Sequence, residues 1–333
     1  MTALTQRVSQ RVPARFLPVL ATVVLFVLTF GVGSASYDGF ASGQIIANLF
    51  IDNAFLIVLA TGMTFVILSG GIDLSVGSVV ALSTMVTAAG LRAGWPVPLV
   101  VVAVLVIGST LGLLMGLVIH KFDIQPFIVT LAGMFLARGL CFLISVESVS
   151  IKDSTFRDIA TAVIELPGGV TITYNVVIAL VVVLVALYVL HRTRFGRSVY
   201  AVGGNEQSAL LMGLKTSRAK VGVYVISGFC SALAGLLFSL YMLSGYGLHA
   251  VGMELEAIAA VVIGGTLLAG GVGYVLGSLV GVLVLGTIQT LISFQGTLSS
   301  WWTKIVIGAL LLVFIAVQRG LARGPRRRQT LTS

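Results

Sequence analysis

Long apolar runs separated by short polar breaks dominate the chain. They lie near residues 16–34, 48–69, 76–91, 97–119, 126–145, 174–190, 221–243, 255–269, 274–293 and 303–318. Most approach the length a helix needs to cross roughly 30 Å of hydrocarbon. No ten-residue alternation of apolar and polar positions is present, so a membrane barrel is not indicated. The pattern predicts an all-α polytopic membrane protein of about ten transmembrane helices occupying 16–318. A second reading exists for the first run alone. It follows basic residues and ends in Gly33-Ser34-Ala35, the parts of a signal peptide, although its apolar stretch is long for one.

Composition closes off the soluble classes. Apolar residues make up 58% of the 333 and charged residues only 9%, too few charges for an aqueous surface. The net charge of +9 raises the question of nucleic acid, which the placement of the charges answers. Arg7, Arg11 and Arg15 precede the first run, and Arg192, Arg194, Arg197, Lys215, Arg218 and Lys220 share one central loop. Arg319, Arg323, Arg326, Arg327 and Arg328 end the chain. With Lys121, these put fifteen of the 20 Lys and Arg on one side of a ten-span chain. That is the positive-inside distribution, and it predicts a cytoplasmic segment 1–15, a cytoplasmic tail 319–333 and no nucleic-acid partner. The predicted location is a membrane with both ends of the chain on its cytoplasmic side. Cys141 and Cys230 sit in apolar segments without metal or disulfide spacing.

The one sizeable outer loop runs from 146 to 173, and the central inner loop from 192 to 220. Trp301 and Trp302, beside Lys304, read as an interfacial anchor or as part of a gate. A weak repeat recurs at a spacing of 200: Leu68-Ser69-Gly70-Gly71-Ile72 matches Leu268-Ala269-Gly270-Gly271-Val272, and Gly77-Ser78 matches Gly277-Ser278. Paired glycine-interrupted apolar segments point to broken or re-entrant helices near 69–77 and 264–273, although a glycine-rich chain also makes short matches by accident.

The chain contains no Gly-Lys dipeptide and therefore no phosphate loop, so any ATP would be hydrolysed elsewhere. Gly271 to Gly277 has one residue too many for a dinucleotide fingerprint and reads as helix packing. His120, His191 and His249 are mutually remote in sequence and lack metal spacing. No catalytic constellation, metal site or bound cofactor is expected, and the chain reads as a carrier of solute rather than an enzyme.

Polar groups inside apolar runs are then the informative ones. Asp73 and Ser75, behind Ser69-Gly70-Gly71, can satisfy freed backbone amides where a helix breaks; they read equally as part of a solute pathway or as a simple cap. Glu254 and Glu256 open the eighth run, where helix capping explains them as well as solute contact does. Asn53, Thr64 and Thr130 suit an uncharged polyol or interhelical bonds alike. Arg138, mid-run, reads as paired within the bundle.

In the central loop, Asn205 can cap a short helix through Glu206, Ala209, Leu210 and Met212, with Gly204 before it and Gly213 ending it. Such a helix, about 10 Å long, has an apolar surface to bury. It either docks into a soluble partner or lies on the bundle itself.

These segments resemble the permease subunits of bacterial ABC-type sugar importers, the ribose and branched-chain amino acid permease superfamily. The likeness is carried by Gly62-Met63-Thr64-Phe65-Val66-Ile67, by Ser69 to Gly77, by Thr130-Leu131-Ala132-Gly133-Met134 and by Ala257 to Thr266. His191 to Gly196, Glu254 to Ile258 and Gly296 to Lys304 are most similar to the permeases of galactofuranose importers. The resemblance implies that 203–213 is the coupling helix against a cytoplasmic ATPase, which uses ATP and Mg. It also implies a periplasmic sugar-binding protein, a second permease subunit, identical or homologous, and alternating access. A stand-alone secondary carrier or facilitator is the competing class, distinguishable by uptake without any ATPase.

Overall fold

A computed structural model describes residues 17–296 and 301–322. The cluster Arg7, Arg11 and Arg15 and the residues beyond 322 lie outside the described residues. Each of the ten apolar runs contains a helix: α1 (Leu17–Ser36), α2 (Gly43–Leu68), α3 (Val76–Arg92), α4 (Val97–Phe122) and α5 (Pro126–Ile144) in the first half. After a small helix α6 (Ser154–Thr161) comes α7 (Tyr174–Arg192), followed by the short α8 (Arg194–Gly204) and α9 (Glu206–Leu211). The chain then continues through α10 (Thr216–Met242), α11 (Met253–Ile263), α12 (Val275–Gln295) and α13 (Trp301–Ala322).

Among the described residues, seven helices are long and apolar enough to cross a membrane: α1, α2, α4, α5, α7, α10 and α12. The eighth run corrects the expectation of a span over 255–269. Its helix α11 has 11 residues, about 17 Å of rise, and stops at Ile263. Beyond it Gly265, Gly270 and Gly271 take φ of +89°, +86° and +76°, in the left-handed region that favours glycine. Hydropathy continues through 264–269, but the backbone leaves the helix.

The all-α expectation is also amended at the 146–173 loop. Besides α6, whose Asp153 carboxylate accepts from the Phe156 amide at 2.8 Å, the loop folds strands β1 (Val149–Ser150), β2 (Val163–Leu166) and β3 (Val170–Thr173). β2 and β3 form an antiparallel hairpin, while β1 pairs antiparallel with β4 (Ser244–Gly245) and clips the loop to the link after α10. This end of the bundle is called the hairpin end; the opposite end carries α8 and α9.

Packing ranks the helices. α2 is buried almost continuously from Asn53 to Leu68 and forms the centre, with α10, α12 and α7 around it. α10 lies against α4, α3 and α2. α4 and α7 turn Val102, Val106, Leu114, Leu184 and Tyr188 outward, an exposed apolar belt suited to lipid and not to water. α1 crosses α12, and the Thr22 hydroxyl donates to the Ile263 carbonyl at the end of α11.

Candidate functional site

The two glycine-broken segments face each other at the α8–α9 end. In the first, between α2 and α3, the buried Asp73 carboxylate accepts from the Ser75 amide at 2.9 Å, the Ser75 hydroxyl at 2.6 Å and the Ser227 hydroxyl of α10 at 2.7 Å. Thr130 of α5 donates to the Ile72 carbonyl at 3.2 Å. Asp73 therefore holds a turn together and ties it to α10; with no exposed surface it lines no cavity.

In the second, between α11 and α12, the Leu267 amide donates to the Val272 carbonyl at 2.9 Å and closes the turn on itself. The Gly271 amide donates across to the Leu68 carbonyl, also at 2.9 Å, so the loops are joined backbone to backbone. The end of α8 fills the remaining side. A carbon added at Gly203 would collide with the Leu68 carbonyl and come within 2.6 Å of the Gly271 nitrogen. One added at Gly271 would come within 2.9 Å of Gly204. Three stretches of bare backbone thus meet at one point, a closeness only glycine permits. Tyr200 of α8 donates its hydroxyl to the Gly273 carbonyl at 2.8 Å. Burial, with Tyr274 nearby, pushes that phenol up to about 12, so it remains a donor at any physiological pH.

Directly after this joint, Asn205 caps α9, its side chain accepting from the Ser208 amide at 2.8 Å, and Gly213 at φ +75° ends the turn. Gly204, within the 203–213 segment that the resemblance marks as the coupling helix, closes α8. Ala209 packs inward with no exposed surface, and Lys220 of α10 pairs with Glu206 at 2.6 Å. Leu210, Leu211 and Met212 are 61%, 89% and 69% exposed. The short helix is pinned to the bundle by its polar flank while its apolar tip stands free.

At the hairpin end a polar cavity opens between α2, α11, α12 and α13. Its two lobes, about 500 and 240 Å³, share Asn53, Leu56, Glu256 and Gln289. The larger adds Asp52, Tyr241 and Phe294, the smaller Trp301 and Lys304. Tyr241 donates to the Asp52 carboxylate at 3.3 Å.

Glu254 and Glu256, two positions apart on α11, project about 200° apart round the helix and part company. Glu256 lines the cavity. Glu254 lies against Gly77 of α3, its Oε2 buried without a hydrogen-bond partner among the described residues. Neither caps α11, whose N-cap is Gly252, with no side-chain cap hydrogen bond. Arg138 donates to the Gly247 and His249 carbonyls at 2.6 and 2.8 Å, fixing the link before α11.

Of the residues singled out from sequence, the structure brings Asn53 and Glu256 together in this cavity. Thr64 meets Ser278 of α12 at 2.8 Å in the packed interior below it. Ser69 lines a smaller cleft of about 340 Å³ at the α8–α9 end, while Asp73, Ser75 and Thr130 form the network just described. Asp52, Gln289 and Lys304 were missed. Asp52 and Lys304 carry the signal that would have found them, an ionisable side chain within or beside an apolar run.

The sequence profile of the family described as "Branched-chain amino acid transport system / permease component" matches residues 45–315. The inner membrane ABC transporter permease protein YjfF of Escherichia coli K12 is 50% identical over 312 residues, 92% of this chain and 93% of the relative. The fructose import permease protein FruG of Bifidobacterium longum is 43% identical, covering 92% of each chain. The ribose import permease protein RbsC of Haemophilus influenzae is 36% identical over 90% of this chain and 93% of its own. No solved structure matches.

Proposed function

The chain belongs to the branched-chain amino acid transport system permease family, and from that premise we propose that it is the membrane-spanning subunit of an ABC-type importer for a monosaccharide. The observation that carries the reading is the free apolar tip of α9, the helix that directly follows the joint where Gly203 and Gly204 meet the two glycine-broken loops. A tip of Leu210, Leu211 and Met212 outside the lipid belt has a natural use as a knob for a soluble ATPase. Both termini and α9 then lie in the cytoplasm, and the hairpin end with its cavity faces a periplasmic binding protein. Ten crossings, with α11 as a half-span completed by its loop, satisfy this orientation.

In this mechanism a second permease, identical or homologous, completes the pathway, and ATP binding and hydrolysis occur on the partner. Closure of the ATPase pair displaces α9. The displacement reaches the loops through Gly203 and Gly204, without intervening side chains, and shifts the bundle between its two accessible states. Asn53 and Glu256 are the pathway residues taken over from the sequence expectation; Asp73, Ser75 and Thr130 maintain the turn. Galactofuranose is the solute we assign, on the likeness of 191–196, 254–258 and 296–304 to the permeases of galactofuranose importers. FruG and RbsC, whose names specify fructose and ribose, fit the broader monosaccharide class.

The test is Leu211→Asp, at a site where the side chain packs on nothing in the bundle. Expected are normal insertion and melting, loss of ATPase co-purification and loss of uptake. Undiminished ATP-driven uptake by this variant, or uptake into vesicles containing no ATPase, would refute the coupling role.

A further inference from the structure

We propose that the cavity between α2, α11, α12 and α13 is a binding station for an uncharged monosaccharide, at which this chain itself discriminates among sugars. The proposal rests on the transport reading above and deepens it, because selection would then not belong to the binding protein alone.

The first support is a set of polar groups open to the cavity. Glu256 and Lys304 line the same lobe and act on one another through their charges without closing into a salt bridge. The Lys304 ammonium instead lies over the Trp301 ring, 5.0 Å from its centroid. Gln289 faces the space shared by both lobes with no hydrogen bond from its side chain among the described residues. Gln289 and Lys304 are exposed within the cavity, so their hydrogen-bonding groups are open to a solute that enters it.

The second support is the kind of partner they fit. A carboxylate accepts only, an ammonium donates only, and a carboxamide does both. A cation would answer one sign of charge and an anion the other. A polyol, whose hydroxyls donate and accept, answers both. Trp301, Tyr241 and Phe294 border the same space, and the negative face of an aromatic ring suits the polarised C–H face of a sugar ring. The larger lobe, about 500 Å³, falls within the range of roughly 300–1,000 Å³ typical of small-molecule sites.

The third support is Gly286 of α12. A carbon added there would lie 2.5 Å from the Asn53 side-chain nitrogen, which already donates to the Leu49 carbonyl at 2.9 Å. The carboxamide of Asn53 is therefore held at the cavity wall by the absence of a side chain at 286. One methyl group at this position would reshape the site without removing any polar group.

The experiment uses the full chain in lipid nanodiscs, with Trp95 and Trp302 replaced by Phe so that Trp301 reports. D-galactose, D-ribose, D-fructose and D-allose are titrated separately, and ATP-driven uptake of the same sugars by the complete wild-type complex is measured in parallel. A saturable fluorescence change is expected, with half-saturation differing among the sugars. Glu256→Gln and Gly286→Ala should each raise the half-saturation of the preferred sugar about tenfold or more. Should Glu256→Gln misfold, Gln289→Leu replaces it. Unchanged half-saturation in folded variants, or no response to any of the four sugars while the complex transports one, overturns the site and leaves the transport reading intact. Sugar binding without ATP-driven uptake overturns the transport reading and leaves the site.

Discussion

Loops 69–75 and 264–274 share a Gly-Gly pair and a helix on either side, yet only the first contains a charge. Asp73 anchors that loop to α10 through Ser227, and Thr130 anchors it to α5. The second loop has no acidic or basic side chain; it closes on itself and is held from outside by the Leu68 carbonyl and the Tyr200 hydroxyl. The same sequence device therefore yields one loop fastened by side chains to α10 and α5 and another fastened to the end of α2 and to α8, the helix that precedes α9. Glycine permits the break, and the neighbouring polar groups decide what the broken segment is attached to.

The largest test of that contrast is Asp73→Ala. It removes the acceptor of three buried hydrogen bonds, and the expected destabilisation is about 3 kcal/mol. It is read as a lower melting temperature and a smaller folded yield in detergent. A melting temperature within about 2 °C of wild type would remove the distinction between the loops. Next in size, Gly271→Ala places a side chain at φ +76° against Gly204, at a strain of about 1–2 kcal/mol. Its effect should fall on coupling: ATPase still co-purifies, and uptake drops at least about tenfold. Full uptake would mean that the second loop need not follow α8. The smallest change, Tyr200→Phe, removes one hydrogen bond worth about 1 kcal/mol. Amide exchange at 270–274 should quicken about fivefold while 69–75 stays at its wild-type rate, and equal acceleration of both would erase the difference.

The existence of the helices was legible because hydrocarbon forces each apolar run to satisfy its own backbone. What hydropathy does not record is a dihedral angle. The run 255–269 looks continuous, since Val261, Val262, Ile263, Leu267 and Leu268 are all apolar, yet Gly264 and Gly265 end the helix between them. The position of α9 was legible from Asn205 and Gly213, because capping is a local interaction. The exposure of its tip was not, because burial depends on the rest of the fold. The cavity was half legible: Asn53 drew attention, whereas Asp52 beside it did not. Gln289 and Lys304 come from helices more than 200 residues further on, and only the tertiary fold aims them at the same space. Ser75, the local partner of Asp73, is legible from the sequence, whereas its other partner, Ser227, lies 154 residues away.

The tip of α9 bears on how such a subunit is made. Leu210, Leu211 and Met212 have no lipid around them in the proposed orientation, and an apolar patch facing water is adhesive. A copy synthesised in excess of its ATPase thus advertises that it is an orphan, in a place where chaperones and proteases of the aqueous compartment can read the mark. Assembly erases it. The same three residues would serve the working complex as a contact and the cell as a means of matching the output of one subunit to the supply of another.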